Sequence, residues 1–203
     1  EQLGITAHCF DDSQPEYQTV SPADWPWQAM DALVISPGIP HNHPAPHLLA
    51  QMALDNQVEI ISEIEFSIRT GRAGRWVVIT GTNGKSTTAS LLAHILEQAG
   101  VPAQLGGNIG TAITSLPATD DNDILVVEAS SYQLETTPSL APEIGMLLNL
   151  TPDHLDRHGG MEGYIAAKAN LLRQTPQTAS IICGTDAGCT RAREIAGSSA
   201  TAY

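Results

Sequence analysis

The stretch "WVVITGTNGKSTTASLLAHILEQAG", residues 76–100, decides how the chain is read. Trp76 to Thr80 read as a strand apolar enough to be buried on both faces. A glycine-rich turn follows. The helix after it carries Leu92, Ile95, Leu96 and Ala99 at the spacing of one buried stripe, and Gly100 stands where a C-terminal cap belongs. Between strand and helix, Gly81, Gly84, Lys85 and Ser86 form a phosphate-loop candidate. Glycines let the backbone turn so that N–H groups and the helix N-terminus point at phosphate oxygens, while the lysine adds a point charge and the hydroxyl can ligate magnesium. The strict pattern G-x-x-x-x-G-K-[ST] places a glycine at position 79, where this chain has Ile79. The bland alternative is a tight strand-to-helix turn with a solvated lysine, but the flanking strand and amphipathic helix supply the context the motif requires.

Working outward, a phosphate loop calls for an acid on a neighbouring strand, because magnesium is shared between phosphate and protein oxygens. In "DILVVEASSYQLE" the apolar run Ile124 to Val127 leads straight into Glu128, read as that acid rather than as a solvated strand end. "LLNLTPDHLDRHGG" is another buried strand emptying into a loop with Asp153, His154, Asp156, Arg157 and His158. Ligands of open α/β sheets sit beyond the carboxyl ends of the strands, so this cluster falls on the phosphate-loop side. A single histidine there is more often a capping or surface residue, and the clustering is what raises it to a ligand candidate. "GMEGYIAAKANLLRQ" reads as a helix whose apolar residues Met161, Tyr164, Ile165 and Leu172 share a stripe with Lys168. A lysine on a buried face must be paired, neutralised or modified, unless it snorkels with its amine in water.

The upstream residues, 1 to about 72, alternate between strand-like and helix-like segments: "GITAHCF", "DALVISPG", the helical "APHLLAQMALDN", "VEIIS" and "EIEFSIRTG". This is an α/β pattern with parallel-sheet character. "RTGRAGR" reads as a linker to a second α/β unit with strands near Trp76–Thr80, Ile124–Val127, Ile144–Leu148 and Ser180–Cys183. The expected division is therefore 1–72, a partial N-terminal domain, and 73–203, a partial central domain.

Composition narrows the function. The formal net charge of −13 over 203 residues argues against sequence-independent nucleic-acid binding, which needs clustered basic residues. There is no run apolar and long enough to span a bilayer and no signal-peptide pattern, so the default is a soluble cytosolic protein. The three cysteines, Cys9, Cys183 and Cys189, lack paired metal-ligand spacing and read as reduced, mostly buried thiols. Lysine, normally common, occurs only twice, at Lys85 and Lys168, against seven arginines. One of the two stands in the phosphate loop, which directs attention to the other.

Taken together, "GTNGKSTT", "GGNIG", "VVEASSYQLETT" and "NLTPDHLDRH" followed by "YIAAKANLL" resemble the Mur ligases, the ATP-dependent amide ligases of peptidoglycan precursor synthesis. The variant forms look most like the member that adds D-glutamate to UDP-N-acetylmuramoyl-L-alanine. "VISPGIPHNHP" and "IISEIEF" resemble the second half of that enzyme's uridine-binding N-terminal domain. The resemblance covers nearly all of the chain, and the family's non-standard phosphate loop accounts for Ile79. It implies a Rossmann-like N-terminal domain followed by a P-loop-type ATP-binding domain with a mostly parallel sheet. By the same resemblance Gly81, Thr82, Asn83, Gly84, Lys85, Ser86 and Thr87 hold the ATP phosphates, with Lys85 on the phosphates and Ser86 on magnesium. Glu128 matches the acid of the first magnesium site and His154 a ligand of the second. Lys168 matches a lysine that the family carbamylates to help hold that second ion. Asn108, Ser130 and Gln133 match positions facing the muramoyl substrate. Ser36, Pro37 and Gly38, with Asp11 and Asp12, match the region receiving the uridine end.

The implied chemistry transfers the γ-phosphoryl of ATP to the alanyl carboxylate, and the amine of D-glutamate then attacks the acyl phosphate. The implied setting is the bacterial cytoplasm, with no nucleic-acid partner and no membrane insertion. The chain departs from the family in lacking the glycine-rich first strand, the end of the central domain and the third domain, which implies that this polypeptide alone does not ligate. Other readings stay open: the L-alanine-adding ligase, folylpolyglutamate synthase, or a noncatalytic nucleotide-binding module. A GTPase lacks its N-K-x-D here, the D-x-x-G at Asp156 to Gly159 being a weak match, and no G-x-G-x-x-G follows a strand to support a dinucleotide oxidoreductase.

Overall fold

The computed structural model describes residues 4–197 apart from 15, 17 and 19, together with 201 and 202. Near the N-terminus, β1 (Ala32–Val34) and β2 (Glu59–Ile61) pair in parallel, with Leu33 opposite Ile60, and α1 (Leu48–Asp55) crosses between them. Leu49 and Ala53 of α1 pack with Trp25, Trp27, Leu33 and Val58 into a small core of their own. The strand expected in "GITAHCF" is absent: residues 4–10 have no regular secondary structure. Only His8 and Phe10 of that segment are half-buried, too little apolar cover to offset the entropy of an ordered strand.

After α2 (Glu63–Arg69) the chain builds β3 (Arg75–Thr80), α3 (Lys85–Gln98), β4 (Ala103–Gly107), β5 (Ile124–Glu128), α4 (Ser131–Glu135) and β6 (Ile144–Leu147). It continues with α5 (Met161–Gln174), β7 (Ser180–Cys183), α6 (Ala187–Ala196) and β8 (Thr201–Ala202). Among the described residues these strands form one six-stranded sheet of order β4-β5-β3-β6-β7-β8, every pairing parallel. From β3 the chain runs out to β4, returns to β5, then crosses β3 to reach β6. The loops leaving β3, β5 and β6 therefore part over the carboxyl end of β3, the place where open sheets bind ligands.

Side-chain alternation along β3 explains the two layers. Val77 and Ile79 face α3, packing with Ala89 and Val126, while Val78 faces the other way, with Leu125, Val127, Leu134 and Leu171. Ile79 is fully buried, so the residue in the place of the motif's first glycine is a core residue. Burying each such branched aliphatic side chain is worth about 1.5–3 kcal/mol.

One expectation needs correction. The buried face of α3 is Ala89 with half-buried Leu92, Ala93 and Leu96, whereas Ile95 is 53 % exposed and Ala99 is exposed. The helix touches the sheet along one narrow face and nothing covers its outer side among the described residues. Gly100, by contrast, has the left-handed φ of 70° that ends a helix. A second point concerns α2, upstream of the boundary expected at residue 72: its Ile64 and Ile68 pack into the same cluster as Val78 and Leu125 of the central sheet.

Candidate functional site

The phosphate-loop candidate leaves β3 at Thr80 and enters α3 at Gly84, whose φ of 80° is left-handed. No side chain caps the start of α3, and Ser86 and Thr87 of its first turn are exposed, so its free N–H groups are open to an anion. Asn149, just past β6, fixes the turn from outside. Its backbone oxygen accepts from Thr82 N–H at 3.0 Å, its Oδ1 accepts from Asn83 N–H at 2.8 Å, and its Nδ2 donates to Asn83 O at 2.9 Å. Thr82 Oγ1 adds a bond to Thr151 O at 3.0 Å and lies 3.1 Å from the Tyr164 hydroxyl. Lys85 Nζ folds back to donate to Gly81 O at 3.0 Å and Thr82 O at 2.9 Å.

Lys168 arrives beneath this turn from α5. It is 2 % exposed, and its Nζ donates to Thr80 Oγ1 at 3.1 Å and to the same Gly81 oxygen at 3.0 Å. The Tyr164 ring lies 5.0 Å away, a cation–π contact, and no carboxylate is in salt-bridge contact with the amine among the described residues. Burial first, and then the neighbouring Lys85 charge, push its pKa down to about 7. The buried lysine of the helical stripe is thus held by two oxygen acceptors and a ring face, in surroundings that disfavour its ammonium form.

Glu128 ends β5 beside β3, opposite Ile79, and is 2 % exposed. Its Oε1 accepts from Asn108 Nδ2 at 3.0 Å, while its Oε2 is buried and has no hydrogen-bond partner among the described residues. An orphaned buried carboxylate oxygen is costly unless something positive meets it, which is the condition a divalent cation satisfies. Asn108 is placed by its own N–H, which donates to Glu128 O at 2.8 Å. Among the described residues no three His, Cys, Asp or Glu side chains gather as a preformed metal cluster.

Asp153, His154, Asp156, Arg157 and His158 divide by environment. His154 has a left-handed φ of 50° and a half-exposed ring beside Asp153, with Nε2 3.5 Å from Oδ2. His158 is buried: Nε2 lies 2.9 Å from Ser131 Oγ, Nδ1 lies 2.9 Å from Glu135 Oε1, and the ring stacks on Tyr132 at 5.1 Å. A cavity of about 260 Å³ is lined by Lys85, Asn108, Ser130, Ser131, Tyr132, Asp153, His154, Tyr164 and Lys168, with Pro37 and Gly38 from the N-terminal unit; Ser86, Glu128 and His158 are not part of its lining.

Not every candidate lies there. Gln133 is buried, and its Oε1 accepts from Ser130 N–H at 3.0 Å and Ser130 Oγ at 2.9 Å. That is a capping box at the start of α4, so its carbonyl end is committed to the helix. Asp12 pairs with His47 at 3.1 Å, and Asp11 accepts from Ser13 N–H at 2.8 Å, with no contact to the cavity. Hydrogen bonds from Ser13 hold the exposed Asp11 carboxyl below its usual range. Ser36 is exposed beside Pro37. Sequence reasoning missed Asn149, whose only signal was its place after a buried strand. It also missed the polar ends of Tyr132 and Tyr164, because Tyr164 counts as apolar in a helical stripe.

Comparison with known proteins adds names to this geometry. Residues 79–201 match the model of the Mur ligase middle domain. The UDP-N-acetylmuramoylalanine–D-glutamate ligase of Rhodopseudomonas palustris is 46 % identical over 178 residues, covering 86 % of this chain and 38 % of that protein. The enzyme of the same name from Rhizobium etli is 49 % identical over 153 residues, covering 73 % of this chain and 32 % of that protein. The chain therefore spans little more than a third of the curated relatives it matches. Among solved structures, the UDP-N-acetylmuramate:L-alanyl-gamma-D-glutamyl-meso-diaminopimelate ligase from Neisseria meningitides has a similar fold, with a TM-score of 0.60 at 21 % identity, over 97 % of this chain and 67 % of that one. The MurF ligase from Thermotoga maritima, solved in complex with ADP, aligns at a TM-score of 0.52 and 22 % identity over 71 % of this chain and 41 % of that one. With the middle-domain match running from the end of β3 to the start of β8, the chain belongs to the Mur ligase family.

Proposed function

We propose that this chain carries the ATP-binding centre of a cytoplasmic ligase that joins D-glutamate to UDP-N-acetylmuramoyl-L-alanine for peptidoglycan precursor synthesis. The observation that carries the reading is the 46 % identity to a ligase of that name over 178 residues, 86 % of this chain. The site's chemistry agrees with it. An anion seated at the start of α3 would meet uncapped N–H groups, with the Lys85 amine, folded back on Gly81 O and Thr82 O, beside it to add a positive charge. Ser86 and Glu128 would hold a magnesium ion; His154 and a carbamylated Lys168 would hold a second. Bound there, magnesium offsets the repulsion between the phosphates and the alanyl carboxylate. Lys168 is suited to carbamylation, since a neutral amine attacks carbon dioxide, forms the N–C bond and releases a proton. Asn108, Ser130 and the Pro37–Gly38 edge line the remaining cavity, where the muramoyl and uridine parts would lie. No helix among the described residues is long and apolar enough to cross a membrane.

The test is phosphate release by the protein that carries this chain, given ATP, magnesium and UDP-N-acetylmuramoyl-L-alanine. Release that depends on D-glutamate and vanishes in Lys85→Ala supports the reading. Release that depends instead on L-alanine with UDP-N-acetylmuramate assigns the chain to a different branch of the family.

A further inference from the structure

The N-terminal unit and the central unit meet along one seam, and Glu135 at the end of α4 stands in the middle of it. Its two oxygens take histidines from opposite sides. Oε2 is 3.3 Å from His41 Nε2, in the loop after β1, and Oε1 is 2.9 Å from His158 Nδ1, in the loop after β6. Burial opposes the Glu135 charge, but hydrogen bonds from His158 and His41 outweigh it and hold the carboxyl below the ordinary glutamate range. Arg157 reinforces the seam: its Nη1 donates to Gly38 O at 3.0 Å while its guanidinium lies 4.5 Å from the centre of the Tyr132 ring. Gly159 allows the close approach, for a Cβ there would come within 3.1 Å of the His43 ring.

The loop that Glu135 and Arg157 fasten is the one that brings Pro37 and Gly38 to the cavity, and the element it is fastened to brings Ser131 and Tyr132 to the opposite wall. We infer that Glu135 is a positioning residue of this site, setting the spacing between the cavity wall contributed by the N-terminal unit and the wall contributed by α4. It makes no hydrogen bond or ion pair with the phosphate loop or Lys168 among the described residues, so its effect should fall on the nucleotide-sugar end and spare the ATP end. The consequence for substrate rests on the ligase reading above; the mechanical part does not.

The experiment pairs amide hydrogen exchange with titration of UDP-N-acetylmuramoyl-L-alanine and of ATP with magnesium, on the protein that carries this chain, as wild type, Glu135→Ala, Glu135→Gln and His41→Ala. His41→Ala cuts the seam on the N-terminal side and leaves the His158–Glu135 bond in place, so it keeps the test open should Glu135→Ala fold poorly. The expected result is faster exchange confined to residues 36–47 and 153–160, affinity for the nucleotide sugar about tenfold weaker, equal to about 1.4 kcal/mol, and ATP affinity within twofold. Glu135→Gln, which keeps one acceptor, should recover part of both. Unchanged exchange in these loops, or equal weakening of both ligands with exchange raised throughout the chain, overturns the inference. Selective loop opening in variants of the whole protein that carries this chain, when that protein binds no nucleotide sugar, supports the positioning role and sinks the ligase reading instead.

Discussion

At the scale of single residues, Lys168 is where burial and chemistry pull hardest on one another. Its amine is ordinarily protonated to above pH 10, yet here its pKa is pushed down to about 7 by burial and by Lys85. Between those two values the unfolded chain binds a proton that the folded chain does not, so stability rises with pH across that window. Below the folded value both states are protonated and the burial penalty is present in full. Urea unfolding at pH 7, 8 and 9 should show this rise in the wild-type protein and a flatter profile in Lys168→Met. The same neutral amine predicts a ¹³C carbamate resonance under labelled carbon dioxide, growing as pH passes 7 at fixed carbon dioxide pressure. Because the chain holds only two lysines, Lys168→Ala assigns the signal without ambiguity. Glu128 makes a different case, a buried carboxyl group with one orphaned oxygen. Magnesium with ADP should raise the melting temperature of the wild-type protein, since saturation at a hundred times Kd adds about 2.7 kcal/mol. Glu128→Gln should abolish the magnesium-dependent part of that rise while changing the metal-free melting temperature little, because the carbonyl oxygen of glutamine can keep the bond from Asn108. A retained magnesium shift would remove Glu128 from the metal site.

At the scale of elements, what was legible in the sequence was whatever is decided locally. The phosphate turn needs glycine at fixed places and a helix after it, and β3, β5, β6 and β7 are short apolar runs that declare themselves. β4 did not, because "AQLGG" carries too few β-branched residues to read as a strand. Its glycines answer to neighbours instead: a Cβ on Gly107 would fall 2.4 Å from Glu128 O. The stripe expected on α3 was wrong at Ile95 and Ala99 because periodicity gives a direction but not how wide a face the tertiary structure covers. Gln133 went into a capping box, and His158 into a buried strut, through partners that a linear sequence does not display. Caps with a partner elsewhere in the chain are testable in the same way. Asp186 begins α6 by accepting from Cys189 N–H at 2.8 Å, and its other oxygen accepts from Leu150 N–H at 3.0 Å. Asp186→Ala should cost about 2 kcal/mol in urea unfolding, the sum of a lost cap and a donor left short of its partner. A loss under 0.5 kcal/mol would show that water replaces both bonds.

At the scale of the whole molecule, the question is where one folding unit ends and the next begins. Composition places a linker at "RTGRAGR", but the packing of α2 favours a break before it. Ile64 is 1 % exposed and packs with Ile68 against Val78 and Leu125, side chains that also support the floor of the site. Glu65 strengthens the attachment, accepting from Ser139 N–H at 3.0 Å, while Arg69 ties the same helix back to Glu59 of β2. The break that this packing favours is at Ser62, whose N–H donates to Thr136 O at 2.9 Å. Two truncations separate the alternatives. A polypeptide of residues 62–203 keeps α2 and should unfold in one cooperative transition. One of residues 73–203 loses both isoleucines from a packed core, each worth about 2–5 kcal/mol when deleted, and should melt well below it or bind hydrophobic dye as a loosened core does. Equal melting temperatures for the two would favour a boundary at residue 72. They would also mean that α2 rests on the central sheet without supporting it.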